Sequence, residues 1–284
     1  MKRARLFAFV LAAIPLRAQT VDVSRRELLA GGRSANEVKR DALYAALADA
    51  VRRVSGVMVQ GTELSSRSDS GGHIVDRYVE AVRVDAAGRA TAWAVLKEGW
   101  RTEKSRALGD QLYYELSLRV TVERESGTRD PGFTVRLSAN ATHFAVRSEI
   151  AAENDEMIAR VVVSQDAFIT LVSIAGDSVY VLTPNSVVPE VRAGPPLAVE
   201  LPEPALRRMG LHYRVALPFG VRSRTELLAV VATRRPVALF APHGEGEARD
   251  SGTLTLAEFN RWLVSIPLDQ RAVAQLPIEV KRTP

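Results

Sequence analysis

The chain contains no cysteine, and this absence excludes several kinds of chemistry at once. A protein without thiols has no disulfide framework, no cysteine nucleophile, no iron–sulfur cluster and no cysteine-ligated zinc. Aromatic residues are also few, at 6% of 284 residues. The remaining composition, 46% hydrophobic and 25% charged, is typical of a globular protein and excludes collagen-like and disordered classes. The length allows one large or two modest domains.

Most of the excess positive charge lies at the amino terminus. The formal net charge is +5, and Lys2, Arg3, Arg5 and Arg17 all precede the first acidic residue. Because no acidic residue offsets these four, the rest of the chain is close to neutral. A basic surface that attracts nucleic acid is therefore not expected.

The segment 1–18 has the order of a secretory signal peptide. A basic start is followed by an apolar stretch from Leu6 to Leu16, which Pro15 interrupts, and by a small residue at Ala18. The stretch is too short to span a bilayer, and no longer apolar run follows it. We expect cleavage after Ala18 and export to the periplasm or the medium, with no transmembrane segment in the mature chain. Without cysteine, no lipid anchor is expected either.

Residues 19–127 are predicted to form an α+β domain in which a helix packs on an antiparallel sheet. Ser34 and Glu37 have the spacing of a capping box, in which each side chain binds the other residue's amide. Apolar residues then recur at helical spacing as far as Val54, which predicts an amphipathic helix.

The sheet of this domain is predicted from two extended segments. Apolar and polar residues alternate strictly over 112–122, which is typical of an antiparallel strand with one buried face. We expect a strand at 90–101 to pair with it through the loop around Gly109. The pattern of 74–84 fits a helix in part and a strand in part.

A cluster of turn-forming residues at 125–132 predicts a domain boundary. Short strand-like runs separated by turns follow it and predict a mainly β, sandwich-like domain over 133–284. Thr255 and Glu258 form a second capping-box pattern, which predicts a short C-terminal helix. We expect 276–280 to return as an edge strand.

The run from Asp166 to Asn185 resembles the signature of a bacterial family known as domain of unknown function 4384. The resemblance covers roughly 139–242 and implies structural motif positions but no active-site residue. We interpret Asn185 as a turn residue that caps the local backbone. The motif positions are Gly176, Leu182, Pro184, Asn185, Gly194, Pro202, Pro218 and Gly220.

The N-terminal half resembles, more weakly, envelope domains of the flagellar assembly protein T and surface lipoprotein type. The shared features are an alanine-rich helix at 42–50, Gly88 before a strand that contains 94–98, and the alternating strand that follows. The lipoproteins carry an acylated cysteine, which this chain lacks. The resemblance implies a secreted, non-catalytic module used in envelope assembly or binding.

The sequence predicts no catalytic residue, no metal site and no cofactor. The four histidines, His73, His143, His212 and His243, stand in no pattern that holds a metal on one helical face. No nucleophile elbow or phosphate-binding glycine loop occurs. A triad built from distant residues stays open, because such triads are defined by geometry.

Two polar clusters have competing interpretations. The acidic residues Glu245, Glu247 and Asp250 either bind a hard cation or form a solvated loop, and we favour the loop. A set of four arginines either forms an anion-binding patch or protects strand edges, and we favour the edges. These arginines are Arg222, Arg224, Arg234 and Arg235.

These observations favour an exported, non-catalytic binding or assembly module of the bacterial envelope. Its expected partner is an envelope protein or a glycan, and Trp100, beside Gly99, is the candidate contact residue. The alternatives are a hydrolase that acts on envelope polymers and a sensor for a small ligand.

Export is tested by expressing the full chain in a bacterium and sequencing the amino terminus of the periplasmic protein. We expect the mature chain to begin at Gln19. A Val10→Arg variant, which interrupts the apolar stretch, should stay uncleaved in the cytoplasm. Recovery of a chain that still begins at Met1 from the periplasm would contradict the prediction.

Overall fold

A computed structural model of the chain describes residues 18–30, 33–55, 88–105, 109–239 and 252–283. The fold class expected from the sequence is confirmed: a helix on an antiparallel sheet is followed by a strand-rich region with a short C-terminal helix. Within the described ranges, no helix is long and apolar enough to cross a membrane.

In the described residues, the N-terminal region is a three-stranded antiparallel sheet with a long helix packed on it. The elements are β1 (Ala18–Leu28), α1 (Ala35–Ser55), β2 (Gly88–Ser105) and β3 (Gly109–Arg124). The strand order is β1-β3-β2, so the central strand is the last of the three in sequence. The predicted pairing of β2 with β3 is confirmed, and the ambiguous segment 74–84 lies outside the described residues.

The capping box that opens α1 is confirmed by its hydrogen bonds. The amide of Ser34 donates to Oε2 of Glu37 at 2.6 Å, and the amide of Glu37 donates to Oγ of Ser34 at 3.3 Å. These bonds satisfy two of the amides that a helix leaves unpaired at its start. The apolar face that follows packs on the sheet, with Leu47 and Val51 buried among the β3 side chains.

The alternation of β3 gives the sheet its buried face, as predicted. Leu116, Leu118 and Val120 are buried, whereas the residues between them lie on the more exposed side. β1 was not predicted, yet it pairs with β3 along its whole length, starting with Ala18 opposite Glu123. Ala18, the expected cleavage site, is thus the first residue of β1, and the rest of the expected signal peptide lies outside the described residues.

The described part of the C-terminal region contains one large sheet and two small ones. The strands are β4 (Val135–Ala139), β5 (His143–Val146), β6 (Glu156–Met157), β7 (Ala159–Val163), β8 (Ala167–Ala175), β9 (Ser178–Thr183), β10 (Arg192–Ala193), β11 (Val199–Leu201), β12 (Tyr213–Arg214), β13 (Ser223–Thr233), β14 (Thr253–Thr255) and β15 (Arg271–Arg282). The large sheet has the order β14-β9-β8-β13-β15-β5, with β10 paired to β8, and the small sheets are β11-β7-β4 and β12-β6. The helices are α2 (Pro204–Arg208) and α3 (Leu256–Ser265), and α3 opens with the predicted capping box.

The large sheet is covered on both faces. On its inner face, Leu171 and Leu228 pack against the β4-β7-β11 sheet, which gives the expected sandwich-like core. On its outer face, Ile174 and Leu227 pack against Phe259 of α3. Because β8 and β13 are buried on both sides, they are nearly continuous apolar runs instead of alternating ones.

The prediction of an edge strand at 276–280 is wrong. These residues belong to β15, which pairs with β13 over its whole length and with β5 on its other side. Pro277, which lacks an amide donor and is typical of edges, lies just before Glu279, where the pairing with β5 begins. A proline in this place therefore costs no hydrogen bond to β5.

The predicted boundary at 125–132 does not keep the two regions apart. Tyr44 of α1 is buried in the cluster formed by the outer face of the large sheet and α3. The side-chain amide of Asn260, on α3, donates to the carbonyl of Ala90, on β2, at 2.9 Å. These contacts join elements from both sides of the boundary.

A buried charge cluster lies at this junction. Oε1 of Glu125 accepts from Nε of Arg89 at 2.7 Å and from Nη2 of Arg271, and all three side chains are at most 3% exposed. Nη1 of Arg271 also donates to the carbonyls of Leu263 and Ile266 at the end of α3, whose dipole favours a cation. Burial lowers the pKa of Arg271 to about 10.

Glu125→Gln should lower the free energy of unfolding by about 3–5 kcal/mol, because it removes the buried carboxylate that both guanidinium groups share. Urea denaturation followed by circular dichroism measures the change. The control is Asp22→Asn, which removes the exposed pair with Arg119 and should leave the midpoint unchanged. Equal midpoints for both variants would contradict a structural role for the cluster.

Candidate functional site

The candidate site is a pocket of about 460 Å³ at one end of the inner face of the large sheet. Its volume lies in the range of about 300–1,000 Å³ that suits small organic molecules. Strands β6, β8, β9, β12, β13 and β15 and the segment after β12 contribute to its lining. The lining residues are Met157, Ser173, Tyr180, Leu182, Tyr213, Arg214, Val215, Ala216, Leu217, Pro218, Arg224, Glu226 and Ile278.

A change in the inner-face pattern of β13 creates the polar part of the pocket. Successive inner-face residues of this strand are Arg224, Glu226, Leu228 and Val230, so the core side chains give way to two charges. On the neighbouring strand β8, the inner-face residue that follows the apolar Leu171 is the polar Ser173, which lies opposite Leu228 in the register. The sheet is therefore apolar where it meets β4 and β7 and polar where the pocket opens.

These three side chains bind one another. The hydroxyl of Ser173 donates to Oε2 of Glu226 at 2.6 Å, and Arg224 donates to Oε1 through Nε at 3.0 Å and through Nη2. The side chains of Glu226 and Ser173 are both buried. A buried charge such as that of Glu226 is stable only when it is paired and hydrogen-bonded. The result is a rigid polar floor beneath apolar walls.

Tyr213 fixes one wall of the pocket. Its hydroxyl donates to the carbonyl of Leu182 at 3.1 Å, which joins β12 to β9. Burial raises the pKa of Tyr213 to about 12, so the phenol stays protonated at neutral pH and remains a donor.

Two of the motif positions taken from the family resemblance, Leu182 and Pro218, line this pocket. The interpretation of Asn185 as a capping turn residue is confirmed. Its Nδ2 donates to the carbonyl of Leu182 at 2.7 Å, and its Oδ1 accepts from the amides of Val187 and Val188. The turn after β9 thereby holds the end of the strand that carries Tyr180 and Leu182.

Several of the remaining motif positions have distinctive backbone geometry, but they do not line the pocket. Gly176 and Gly220 have φ angles of 63° and 77°, a region that side chains disfavour. At Gly194 a Cβ atom would lie 2.5 Å from Oδ1 of Asp166, so a larger residue would require that carboxylate to move. Pro184 and Pro202 follow cis peptide bonds.

Trp100 lies far from this pocket, on β2 of the N-terminal sheet. It is half-buried, and its ring centroid is 5.2 Å from that of Tyr114. The indole therefore packs on the sheet, and its contact with a partner stays a prediction.

The four arginines do not form one anion-binding patch. Arg224 and Arg234 are ten residues apart along β13 and its end, which separates them by about 33 Å in an extended strand. Arg224 binds Glu226, and Arg234 binds Asp130 and the carbonyl of Asp269. Only the tertiary structure shows that Arg224 belongs to the pocket.

Neither described histidine lines the pocket. Nδ1 of His212 is 2.8 Å from Oε1 of Glu156, and Nε2 of His143 is 3.4 Å from Oε2 of Glu279. Among the described residues, no three metal-ligating side chains form a group. His73, His243 and the acidic residues Glu245, Glu247 and Asp250 lie outside the described residues.

The pocket residues that sequence reasoning missed are Ser173, Glu226, Arg214 and the tyrosines. The sequence did contain a signal for Glu226. Glu226 shares a strand face with Leu228 and Val230, so an apolar residue is expected at its position, and a charged one stands there. No local pattern indicates that β12 approaches this part of the sheet.

No protein-family model, no curated protein and no solved structure matches this chain. The two family resemblances therefore stay predictions, and the site is interpreted from its own geometry.

Glu226→Ala should lower the free energy of unfolding by about 1.5–3 kcal/mol, because Arg224 and Ser173 lose a charged partner. Thermal and urea denaturation measure the loss. The matched control is Glu190→Ala, which removes the exposed pair with Arg192 and should change stability by less than about 0.5 kcal/mol. Similar losses for both variants would show that the polar floor is not held as described.

Proposed function

We propose that this protein is an exported, non-catalytic binding module of the bacterial envelope, whose strand-rich region binds a small ligand in the pocket. The observation that supports this proposal most directly is the pocket itself, with a hydrogen-bonded polar floor of Ser173, Arg224 and Glu226 beneath apolar walls. A concave apolar site with a few convergent polar groups is the usual form of a small-molecule site.

The arrangement of the polar floor favours binding over hydrolysis. A serine nucleophile is usually activated by a histidine base that a carboxylate orients. The Ser173 hydroxyl donates instead to a carboxylate that Arg224 also binds, and the described lining contains no histidine. Among the interpretations that the sequence left open, these contacts support the small-ligand sensor.

The experiment is a thermal-shift screen of the purified exported protein against a library of neutral, cationic and anionic small molecules. A ligand that binds the native state raises the melting temperature. Ala216 lines the pocket and is exposed, so Ala216→Trp should fill the entrance without disturbing the core and should abolish the shifts.

The matched control is Ala152→Trp, which adds the same indole at an exposed position outside the lining and should retain every shift. Two outcomes oppose the proposal. In one outcome, no library compound raises the melting temperature of the wild-type protein in a way that Ala216→Trp abolishes. The other is conversion of a hit to product by the wild-type protein, measured by mass spectrometry.

A further inference from the structure

The charged side chains of the pocket lining do not cancel. Among the described residues, the lining holds two guanidinium groups, from Arg214 and Arg224, and one carboxylate, from Glu226. Both oxygens of that carboxylate are already bound, Oε1 by Arg224 and Oε2 by Ser173. A cationic ligand would therefore meet a carboxylate whose charge Arg224 already balances.

The second guanidinium has no such partner. Nη1 of Arg214 donates to the neutral carbonyl of Asn154 at 2.9 Å, and no ion pair of Arg214 occurs in the described part of the chain. Asp155 feels the charge of Arg214, but its oxygens accept from the amide of Ala145 at 2.8 Å and from Arg147 at 2.6 Å. Glu156 lies opposite Arg214 in the strand register, and its Oε1 is 2.8 Å from Nδ1 of His212. Within the described chain, Arg214 therefore forms no ion pair.

The rest of the lining favours a ligand with an apolar body. Aliphatic side chains and two tyrosine rings surround the floor, so most of a ligand's surface would leave water against carbon atoms. The aliphatic contributors are Met157, Leu182, Val215, Ala216, Leu217, Pro218 and Ile278.

We propose that the pocket binds an amphipathic monoanion, whose single carboxylate is bound by Arg214 and whose apolar body packs on the walls. A guanidinium donates charge-assisted hydrogen bonds to a carboxylate, which are stronger than those between neutral groups. One arginine of the described lining without an ion pair favours a ligand with one anionic group. This inference rests on the proposed function and adds the charge and shape of the ligand.

The test compares three probes of equal chain length by isothermal titration calorimetry at neutral pH: octanoate, octanol and octylamine. They share the apolar body and differ in the head group, which is anionic, neutral or cationic. Octanoate should bind about tenfold more tightly than octanol, because charge-assisted hydrogen bonds add to the same apolar contact. Octylamine should bind more weakly than octanol.

A pair of arginine variants locates the recognition. Arg214→Gln removes the charge and should reduce octanoate affinity to that of octanol, while octanol affinity stays unchanged. Arg192→Gln alters an arginine outside the lining and should change neither affinity. If Arg214→Gln does not fold, the three-probe comparison on the wild-type protein still tests the preference for an anion.

The outcomes separate this inference from the proposed function. Octanol or octylamine binding as tightly as octanoate would overturn the preference for an anion, and so would three probes that all fail to bind. In either case, library compounds whose shifts Ala216→Trp abolishes would leave the pocket as a binding site. A library without such compounds would remove both proposals.

Discussion

The buried carboxylate of Glu125 is the contact on which the assembly of the two regions depends. It lies just after β3, and its partners are Arg89 on β2 and Arg271 at the start of β15. Two guanidinium groups buried without it would carry a large desolvation cost. Because Arg271 also binds the last carbonyls of α3, through Leu263 and Ile266, the sheets and the helix meet at one point.

The same strands lead from this cluster to the pocket. Arg271 lies opposite Thr233 at one end of the β13–β15 pair, and Ile278 lies opposite Glu226 towards the other. One pair of strands therefore carries two polar clusters with different surroundings. At the junction, charges are sealed from water between packed elements, whereas at the pocket the polar floor borders an open volume of about 460 Å³.

Local patterns predicted the elements whose burial is one-sided. The capping boxes at Ser34 and Thr255 and the alternation of β3 were all confirmed, because a helix face and a strand face repeat at fixed spacings. β1 was missed, since the four polar residues 24–27 follow Val21 and Val23 and end the alternation. β15 was placed wrongly at an edge, since its neighbour β5 is far away in sequence.

Sequence alone determined the fold class, the long helix, the central strand of the first sheet and the turn at Asn185. Each depends on residues a few positions apart, whose spacing carries the physical information. Only the tertiary structure decided the cluster of Glu125 and Arg271, which are 146 residues apart, and the pocket that unites Ser173 with Glu226 across neighbouring strands. Pairing between distant segments depends on the packing of whole sheets, which no local spacing encodes.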